Sequence, residues 1–397
     1  MERATQYELP LATRMSRLGT ETAFEVLDKA RALERQGRSI IHLEIGEPDF
    51  NTPSNVVEAG VTALHQGWTH YGPSAGLPEL RQTVAEYVSR TRGVKVTSDE
   101  VVVVPGGKPI IFFTILSLID EGDEVIFPNP GFPIYESMIR YVGGRAVPIH
   151  LREERDFALD IGELSSLITD RTKLVIINSP QNPTGGVLER PDIEQIARII
   201  GDRNIMILAD EIYSRLLFDG LEHFSIMSVP GMQERTILLD GFSKTYAMTG
   251  WRMGYGVMRA DLATHMTRLM TNSNSCTASF TQVAGVEALR GDQSSVDHMR
   301  DAFQRRRDLF VAGLNKIKGF SCRMPKGAFY VFPNIKQTGW KSKPLADRLL
   351  EQAGVAALSG TSFGEFGEGY LRFSVANSLE NLQQALERLD QWTKSNL

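Results

Sequence analysis

The order of apolar segments along the chain is the feature that most restricts its fold. Six short runs rich in Val, Ile and Leu occur between residues 100 and 258, and segments of helical character separate most of them. Continuous apolar strands separated by helices predict a mostly parallel sheet covered on both faces, and therefore a large α/β domain. The predicted strands lie within residues 100–107, 123–130, 172–180, 204–213, 235–242 and 251–258. Helical stretches between them include residues 110–119 and 192–200.

The pattern changes after about residue 290. A long charged helix is predicted over residues 295–317 and an amphipathic helix over residues 379–392, with short strands near "GAFYVF" and "YLRFSVA" between them. This mixture predicts a smaller α+β domain. We therefore expect three parts, namely an N-terminal segment (1–50) that joins the small domain, a large domain (51–292) and a small C-terminal domain (293–397).

Composition and charge exclude several classes of protein. Of the 397 residues, 42% are hydrophobic and 23% are charged, which is typical of a folded globular chain. The net charge of −5 and the absence of a basic run argue against a nucleic-acid partner. No signal-peptide core and no stretch of about 20 apolar residues is present, so we expect a cytoplasmic protein without a membrane partner. Two isolated cysteines, Cys276 and Cys322, predict neither a disulfide framework nor a metal site.

Unusual residues follow the predicted strands. In a parallel sheet the ligand lies at the carboxyl ends of the strands, where loops and helix N-termini meet. A lone lysine, Lys244, sits there in a turn of small residues. Each feature alone has an ordinary explanation as a turn, a helix start or a cap. Their convergence at one edge predicts a functional site made from residues 106–108, 130–132, 178–185, 210–213 and 243–244.

Eight motifs in this order resemble the fold-type I aminotransferases that use pyridoxal 5′-phosphate (PLP), specifically the bacterial class I branch of the aspartate aminotransferase family. The motifs are "LEIGEPDFNTP" (43–53), "YGPSAGLPELR" (71–81), "GGK" (106–108), "NSPQNPTGG" (178–186), "ADEIY" (209–213), "SKTYAMTGWRMGY" (243–255), "GAFYVF" (327–332) and "RFSVA" (372–376). The resemblance implies a large PLP-binding domain with a seven-stranded, mostly parallel sheet. It also implies a homodimer with shared active sites.

The resemblance assigns three catalytic residues. Lys244 is expected to bind the cofactor aldehyde covalently and then to move the proton between substrate and cofactor. Asp210 is expected to face the pyridine nitrogen and keep it protonated, which makes the ring an electron sink. Tyr213, together with Asn182, is expected to hydrogen-bond the phenolic oxygen of the ring.

Further contacts to the cofactor are implied in the same way. Tyr71 is expected to reach the phosphate from the neighbouring subunit, and Phe132 to stack on the ring. Gly241 departs from the pattern, because many relatives carry a phosphate-binding serine at that position. The remaining expected cofactor-binding residues are Gly106, Gly107, Lys108, Ser243 and Arg252.

The substrate is expected to lie between two cationic side chains. Arg372 matches the arginine that holds the α-carboxylate, and Gly46 matches a backbone contact at the mouth, with Phe132 and Asn182 beside them. Lys108 could reach the distal carboxylate of aspartate or glutamate.

These features predict an aminotransferase that moves an amino group from an L-amino acid to a 2-oxo acid by a ping-pong mechanism. One alternative is a PLP-dependent β-eliminating carbon–sulfur lyase, which would use the same lysine, aspartate and tyrosine. The other is a PLP-binding sensor domain of a transcription regulator. The missing basic stripe and the short segment before the fold argue against the sensor.

Overall fold

The computed structural model describes residues 9–397 of the chain as an α/β protein with twelve α-helices, nine short 3-10 or π-helical segments and twelve strands in that range. The strands are β1 (Ile41–His42), β2 (Val101–Val104), β3 (Glu124–Asn129), β4 (Arg145–His150), β5 (Thr172–Asn178), β6 (Met206–Asp210), β7 (Thr236–Gly241), β8 (Gly254–Val257), β9 (Tyr330–Val331), β10 (Val355–Ala356), β11 (Leu358–Ser359) and β12 (Leu371–Ser374). The helices are α1 (Ala23–Glu34), α2 (Ser54–His65), α3 (Pro78–Arg92), α4 (Lys108–Leu118), α5 (Ile134–Val142), α6 (Ile161–Leu167), α7 (Arg190–Ile200), α8 (Ala260–Ser273), α9 (Ser279–Arg290), α10 (Ser294–Leu314), α11 (Ser342–Arg348) and α12 (Leu379–Asn396).

A seven-stranded sheet forms the centre of the molecule, in the order β2-β8-β7-β6-β5-β3-β4. Only β8 runs against the other six strands, since it pairs antiparallel with both β2 and β7. The predicted mostly parallel sheet is therefore confirmed. The side chains of β2, β3, β7 and β8 are buried throughout, which explains why these strands read as continuous apolar runs.

The edge strand β4 escaped the sequence analysis. It begins with the exposed Arg145, includes Pro148, and most of its residues are only partly buried. Proline lacks a backbone N–H, so in a sheet it is tolerated at an edge, where one side of the strand has no partner. A short polar-ended segment with proline therefore lacks the apolar pattern that marked the other six strands.

The shorter strands form two small sheets beside the large one. β1 pairs in parallel with β10, and β11, β12 and β9 form an antiparallel sheet. Ile41 and Leu43 share one hydrophobic core with residues of α10 and α12, such as Phe310 and Leu389. This packing agrees with a small domain that includes the N-terminal segment. The boundaries at residues 50 and 292 stay a prediction, and residues 1–8 lie outside the described part of the chain.

None of the helices between residues 9 and 397 combines the length and the apolar character that crossing a bilayer requires.

A buried ion network ties α3 to two central strands. Arg92, the last residue of α3, donates from Nε to Glu211 Oε2 (3.0 Å) and from Nη2 to Asp240 Oδ2 (3.0 Å). His223 Nε2 lies 2.8 Å from Glu211 Oε2, and Ser225 Oγ donates to Glu211 Oε1 at 2.5 Å. Arg92, Glu211 and Asp240 are each at most 5% exposed. One guanidinium thus compensates two carboxylates that have left water.

We expect Arg92→Met to lower the free energy of unfolding by about 3–5 kcal/mol, because it leaves buried Asp240 without a cation and Glu211 with only His223. Arg90→Met is the matched control, since Arg90 is exposed on the same helix. Urea denaturation of both variants measures the difference. Equal stability of the two variants would show that the network is not needed for folding.

Candidate active site

A cavity of about 500 Å³ opens at the carboxyl ends of the central strands. Eleven of the predicted site residues, which lie far apart in the sequence, line this cavity. They are Gly46, Gly107, Lys108, Phe132, Asn182, Asp210, Tyr213, Ser243, Lys244, Arg252 and Arg372. Gly106 lies just outside the lining, against the Arg252 side chain. Tyr71 is 89% exposed and does not line the cavity within one chain, so its contact with a neighbouring subunit stays a prediction.

Lys244 follows β7 and points into this cavity. Its Nζ donates to the carbonyl oxygen of Gly46 (2.5 Å) and lies 5.8 Å from the centroid of the Phe329 ring. Burial lowers the pKa of the Lys244 ammonium to about 8, and the nearby Arg372 acts in the same direction. The amine form, which is the nucleophile, is therefore much more populated near neutral pH than in an ordinary lysine.

Asp210 ends β6 and is almost completely buried. Tyr135 Oη donates to its Oδ2 at 2.6 Å, and the backbone N–H of Ile212 donates to Oδ1 at 3.3 Å. Burial raises the pKa of Asp210 to about 6, and these two hydrogen bonds oppose the shift. A carboxylate held this way is poised to receive a cationic partner inside the cavity.

Tyr135 is a site residue that the sequence analysis missed. It lies in α5, away from the strand ends that guided the search, and is fully buried. A buried tyrosine hydroxyl normally has a hydrogen-bond partner, so a tyrosine among the apolar positions of α5 was the available signal. That signal does not identify the partner.

Tyr330 also escaped assignment, although it lies in the quoted "GAFYVF" motif. Its hydroxyl is 2.8 Å from that of Tyr213, and both side chains are buried. A Cβ atom at Gly46 would overlap the Tyr330 hydroxyl. Packing against Tyr330 thus requires glycine at position 46. The sequence analysis expected glycine there for a different reason, namely a substrate contact at the cavity entrance.

Arg372 presents a buried cation to the cavity. Its Nη1 donates to Asn182 Oδ1 (3.2 Å), its Nη2 donates to the carbonyl oxygen of Glu44, and its Nε has no hydrogen-bond partner within residues 9–397. No carboxylate of the described chain forms an ion pair with it. Burial lowers its pKa, yet guanidinium keeps its charge in proteins. Because buried charges in proteins are normally paired, an anion is the ligand that suits this position.

Arg252 supplies a second cation without a carboxylate partner among the residues described. Its Nη1 donates to the carbonyl oxygen of Thr249 at 2.8 Å, and its guanidinium lies so close to Gly106 that a Cβ there would overlap it. Gly107 is the N-terminal cap of α4, and Ser243 lines the same cavity. A guanidinium, a hydroxyl and a helix N-terminus together suit a phosphate group.

The glycine at position 241 has a structural reason. Gly241 pairs with Gly254 across β7 and β8, and a Cβ at Gly241 would lie 2.9 Å from the Cα of Gly254. A serine there would push the two strands apart. The nearest hydroxyl along the chain, that of Ser243, lines the cavity instead.

Lys108 and Phe132 complete the mouth of the cavity. Lys108 begins α4, forms an ion pair with Glu21 and lies with its Nζ 5.7 Å from the centroid of the Phe132 ring. The Phe132 ring packs edge-on against Tyr135 at 5.7 Å. The lysine side chain is therefore directed at the cavity, and its partner Glu21 is a third residue that the sequence analysis missed.

Residues 38–389 match the family model for aminotransferase class I and II. The chain belongs to this family. Members of the family are PLP-dependent, and the chain is an aminotransferase, which confirms the predicted enzyme class. Aminotransferases act on amino acids and 2-oxo acids.

Relatives in this aminotransferase family differ in their named activities. The chain is 41% identical to an aspartate aminotransferase of Pyrococcus horikoshii, covering 92% of this chain and 93% of the relative. It is 37% identical to aromatic-amino-acid aminotransferase 2 of Thermococcus litoralis, over 97% and 99% of the two chains. The structure of the Thermus thermophilus aspartate aminotransferase with maleate superposes with a TM-score of 0.93, at 38% identity and over 97% and 100% of the chains.

We expect Asp210→Asn to stabilise the cofactor-free aminotransferase above pH 6. The pKa of Asp210 is raised from 3.8 to about 6, so the folded protein binds more protons than the unfolded chain between these values and loses stability as pH rises. Asparagine carries no charge and so removes the cost of burying the ionised carboxylate. A pKa that is raised by about two corresponds to a cost of about 3 kcal/mol. The two melting temperatures should differ most at pH 7–8 and converge below pH 4. A difference independent of pH would exclude a buried charge as its cause.

Proposed function

We propose that the chain uses PLP to carry an amino group from an L-amino acid to a 2-oxo acid in two half-reactions. The observation that carries the proposal is the cavity, which combines a lysine of lowered pKa, a buried carboxylate and two cations without carboxylate partners. PLP supplies an aldehyde that takes up nitrogen and a ring that accepts electrons. The described residues suit it, because they offer an amine, an anion and an anion-binding cradle at separate points.

Lys244 is the residue proposed to bind the cofactor aldehyde and to move the substrate proton. As an amine it can attack a carbonyl, and after its release by the substrate it can take a proton from the α-carbon. Its pKa of about 8 suits both tasks near neutral pH. Its hydrogen bond to the Gly46 carbonyl holds Nζ inside the cavity.

Asp210 is proposed to hold a proton on the ring nitrogen. The cation thus formed would lie beside the carboxylate and favour its ionised form. Tyr135 fixes the carboxylate through the 2.6 Å hydrogen bond to Oδ2. Tyr213 and Asn182 are proposed to hydrogen-bond the phenolic oxygen, and Phe132 is proposed to pack against the ring face.

Arg252 is proposed to bind the phosphate with Ser243 and the backbone amides at Gly106 and Gly107, at the start of α4, where the helix dipole favours negative charge. Tyr71 is proposed to add a contact from a second copy of the chain, which would make the working enzyme a homodimer. Its 89% exposure in the single chain supports this proposal, since a large exposed aromatic favours burial in an interface. Cytoplasmic location likewise stays a prediction.

Arg372 is proposed to hold the substrate α-carboxylate. Its side chain lines the cavity, contacts Asn182 through Nη1 and has no carboxylate partner among residues 9–397. Bidentate pairing with a carboxylate fixes the orientation of the α-carbon, and this orientation decides which of its bonds is broken. Gly46 keeps the approach to this arginine free of side-chain atoms.

Aspartate or glutamate is the proposed amino donor, with 2-oxoglutarate or oxaloacetate as the acceptor. Lys108 lines the cavity and could pair with a distal carboxylate while Arg372 holds the first. The relative and the solved structure named as aspartate aminotransferases support this choice, whereas the aromatic-amino-acid relative of similar identity keeps other donors open.

We expect Lys244→Ala to lose transamination by several orders of magnitude, because one side chain supplies both the covalent and the proton-transfer functions. Lys95→Ala is the control, since Lys95 is exposed and does not line the cavity. The assay is amino transfer from aspartate to 2-oxoglutarate, with the melting temperature as a check on folding. Near wild-type turnover by Lys244→Ala would refute the proposal.

We expect Lys108→Ala to lower kcat/KM for aspartate and glutamate at least about tenfold, and that for alanine and phenylalanine much less, because a hydrogen bond between charged groups is lost only with the acidic donors. Steady-state kinetics with the four donors measures this. Equal losses for all four would remove Lys108 from substrate selection without affecting the proposed reaction.

A further inference from the structure

Glu21 is an acidic residue of the cavity that the proposed reaction does not use. It lies two residues before α1, lines the cavity and forms an ion pair with Lys108. Its side chain is 18% exposed, whereas that of Lys108 is 45% exposed. The pair therefore places a negative charge in the cavity lining, beside the lysine that is proposed to select acidic substrates.

The segment that carries Glu21 is fixed to the rest of the site. Thr22 Oγ1 donates to Ser362 Oγ at 2.7 Å, and both residues line the cavity. On the other side, the backbone N–H of Gly19 donates to Ser137 Oγ at 2.9 Å. Glu21 is thus held between two anchored residues, and its carboxylate is directed toward Lys108 by the backbone.

The other two acids of the cavity lining are occupied elsewhere. Asp210 accepts the hydrogen bond of Tyr135, and Glu47 accepts one from Thr249. Glu21 is the only acid that pairs with Lys108 among residues 9–397. A substrate carboxylate that approaches Lys108 must therefore compete with Glu21.

The competition affects acidic and neutral donors differently. A dicarboxylic substrate would place its distal carboxylate beside that of Glu21, and repulsion between the two offsets part of the attraction to Lys108. A donor with a neutral side chain leaves the pair of Lys108 and Glu21 intact, so no charge is left unpaired. The pair therefore reduces the selectivity that Lys108 alone would give.

We propose that Glu21 is a specificity-determining residue that makes the site accept neutral as well as acidic amino acids. Glu21 acts as an internal counter-ion. It pairs with Lys108 when a neutral donor is bound, and the distal carboxylate of a dicarboxylic donor replaces it in that pair. The inference rests on the proposed function, because it assigns Lys108 to the distal part of the substrate.

The test compares wild type with Glu21→Gln, Lys108→Ala and the double variant in the donor half-reaction, followed spectroscopically without any acceptor. Glu21→Gln should raise the ratio of kcat/KM for aspartate to that for alanine about tenfold, as expected when a charged competitor is removed. Glu25→Gln is the matched control, because Glu25 is exposed on α1 outside the cavity lining and should leave the ratio unchanged.

A binding measurement separates this inference from the proposed reaction. Isothermal titration with maleate, an unreactive dicarboxylate, should give a Kd about tenfold lower for Glu21→Gln than for wild type, whereas butyrate should bind both equally. In the Lys108→Ala background Glu21→Gln should still favour the dicarboxylates, because the repulsion between the two carboxylates then has no lysine to offset it. An unchanged ratio and an unchanged Kd in Glu21→Gln would overturn the inference. If the wild-type protein did not catalyse transamination, the proposed function would be refuted. The maleate Kd would still show whether Glu21 weakens the binding of a dicarboxylate.

Discussion

The ion network around Arg92 is the constraint on which the rest of the site depends. Glu211 and Asp240 lie on neighbouring strand ends, and Asp210 is adjacent to both. Without a shared cation the carboxylates of Glu211 and Asp240 would repel each other, and both also act to raise the pKa of Asp210. Burial acts to raise the pKa of Glu211, but His223 and Arg92 outweigh it and lower that pKa to about 2. Because Arg92 closes α3, the network holds that helix against the strand ends that present Asp210 and Lys244.

The cavity keeps its charges apart at a cost in stability. Arg372 and Arg252 lack carboxylate partners within the described chain, and Asp210 is buried with only hydrogen bonds to stabilise it. Charges held in a water-poor cavity act strongly on a ligand and need little rearrangement when it binds. The same arrangement destabilises the ligand-free protein, since burial disfavours the charged forms of Asp210 and Lys244. A ligand that places opposite charges beside these groups would offset this destabilisation.

The sequence predicted those parts of the molecule whose structure follows from the residues close to them in the chain. Lys244 and Asp210 could be found because strand ends in a parallel sheet converge, and the strands themselves are apolar runs. Tyr135 and Glu21 could not be found in this way, because a helix and an N-terminal segment bring them to the cavity only through tertiary packing. Strand β4 was missed because Pro148 and its partly exposed residues hide the apolar pattern. The lack of space at Gly241 likewise follows from the β7–β8 distance, which no local pattern encodes.

The most direct test of the account is to find the residue that binds the cofactor. The purified protein is loaded with PLP, its carbon–nitrogen linkage is reduced with borohydride, and the modified peptide is identified by mass spectrometry. The account predicts one pyridoxyl group per chain, on Lys244. A group on any other lysine, including Lys108 in the same cavity, or no stable modification after reduction, would contradict it.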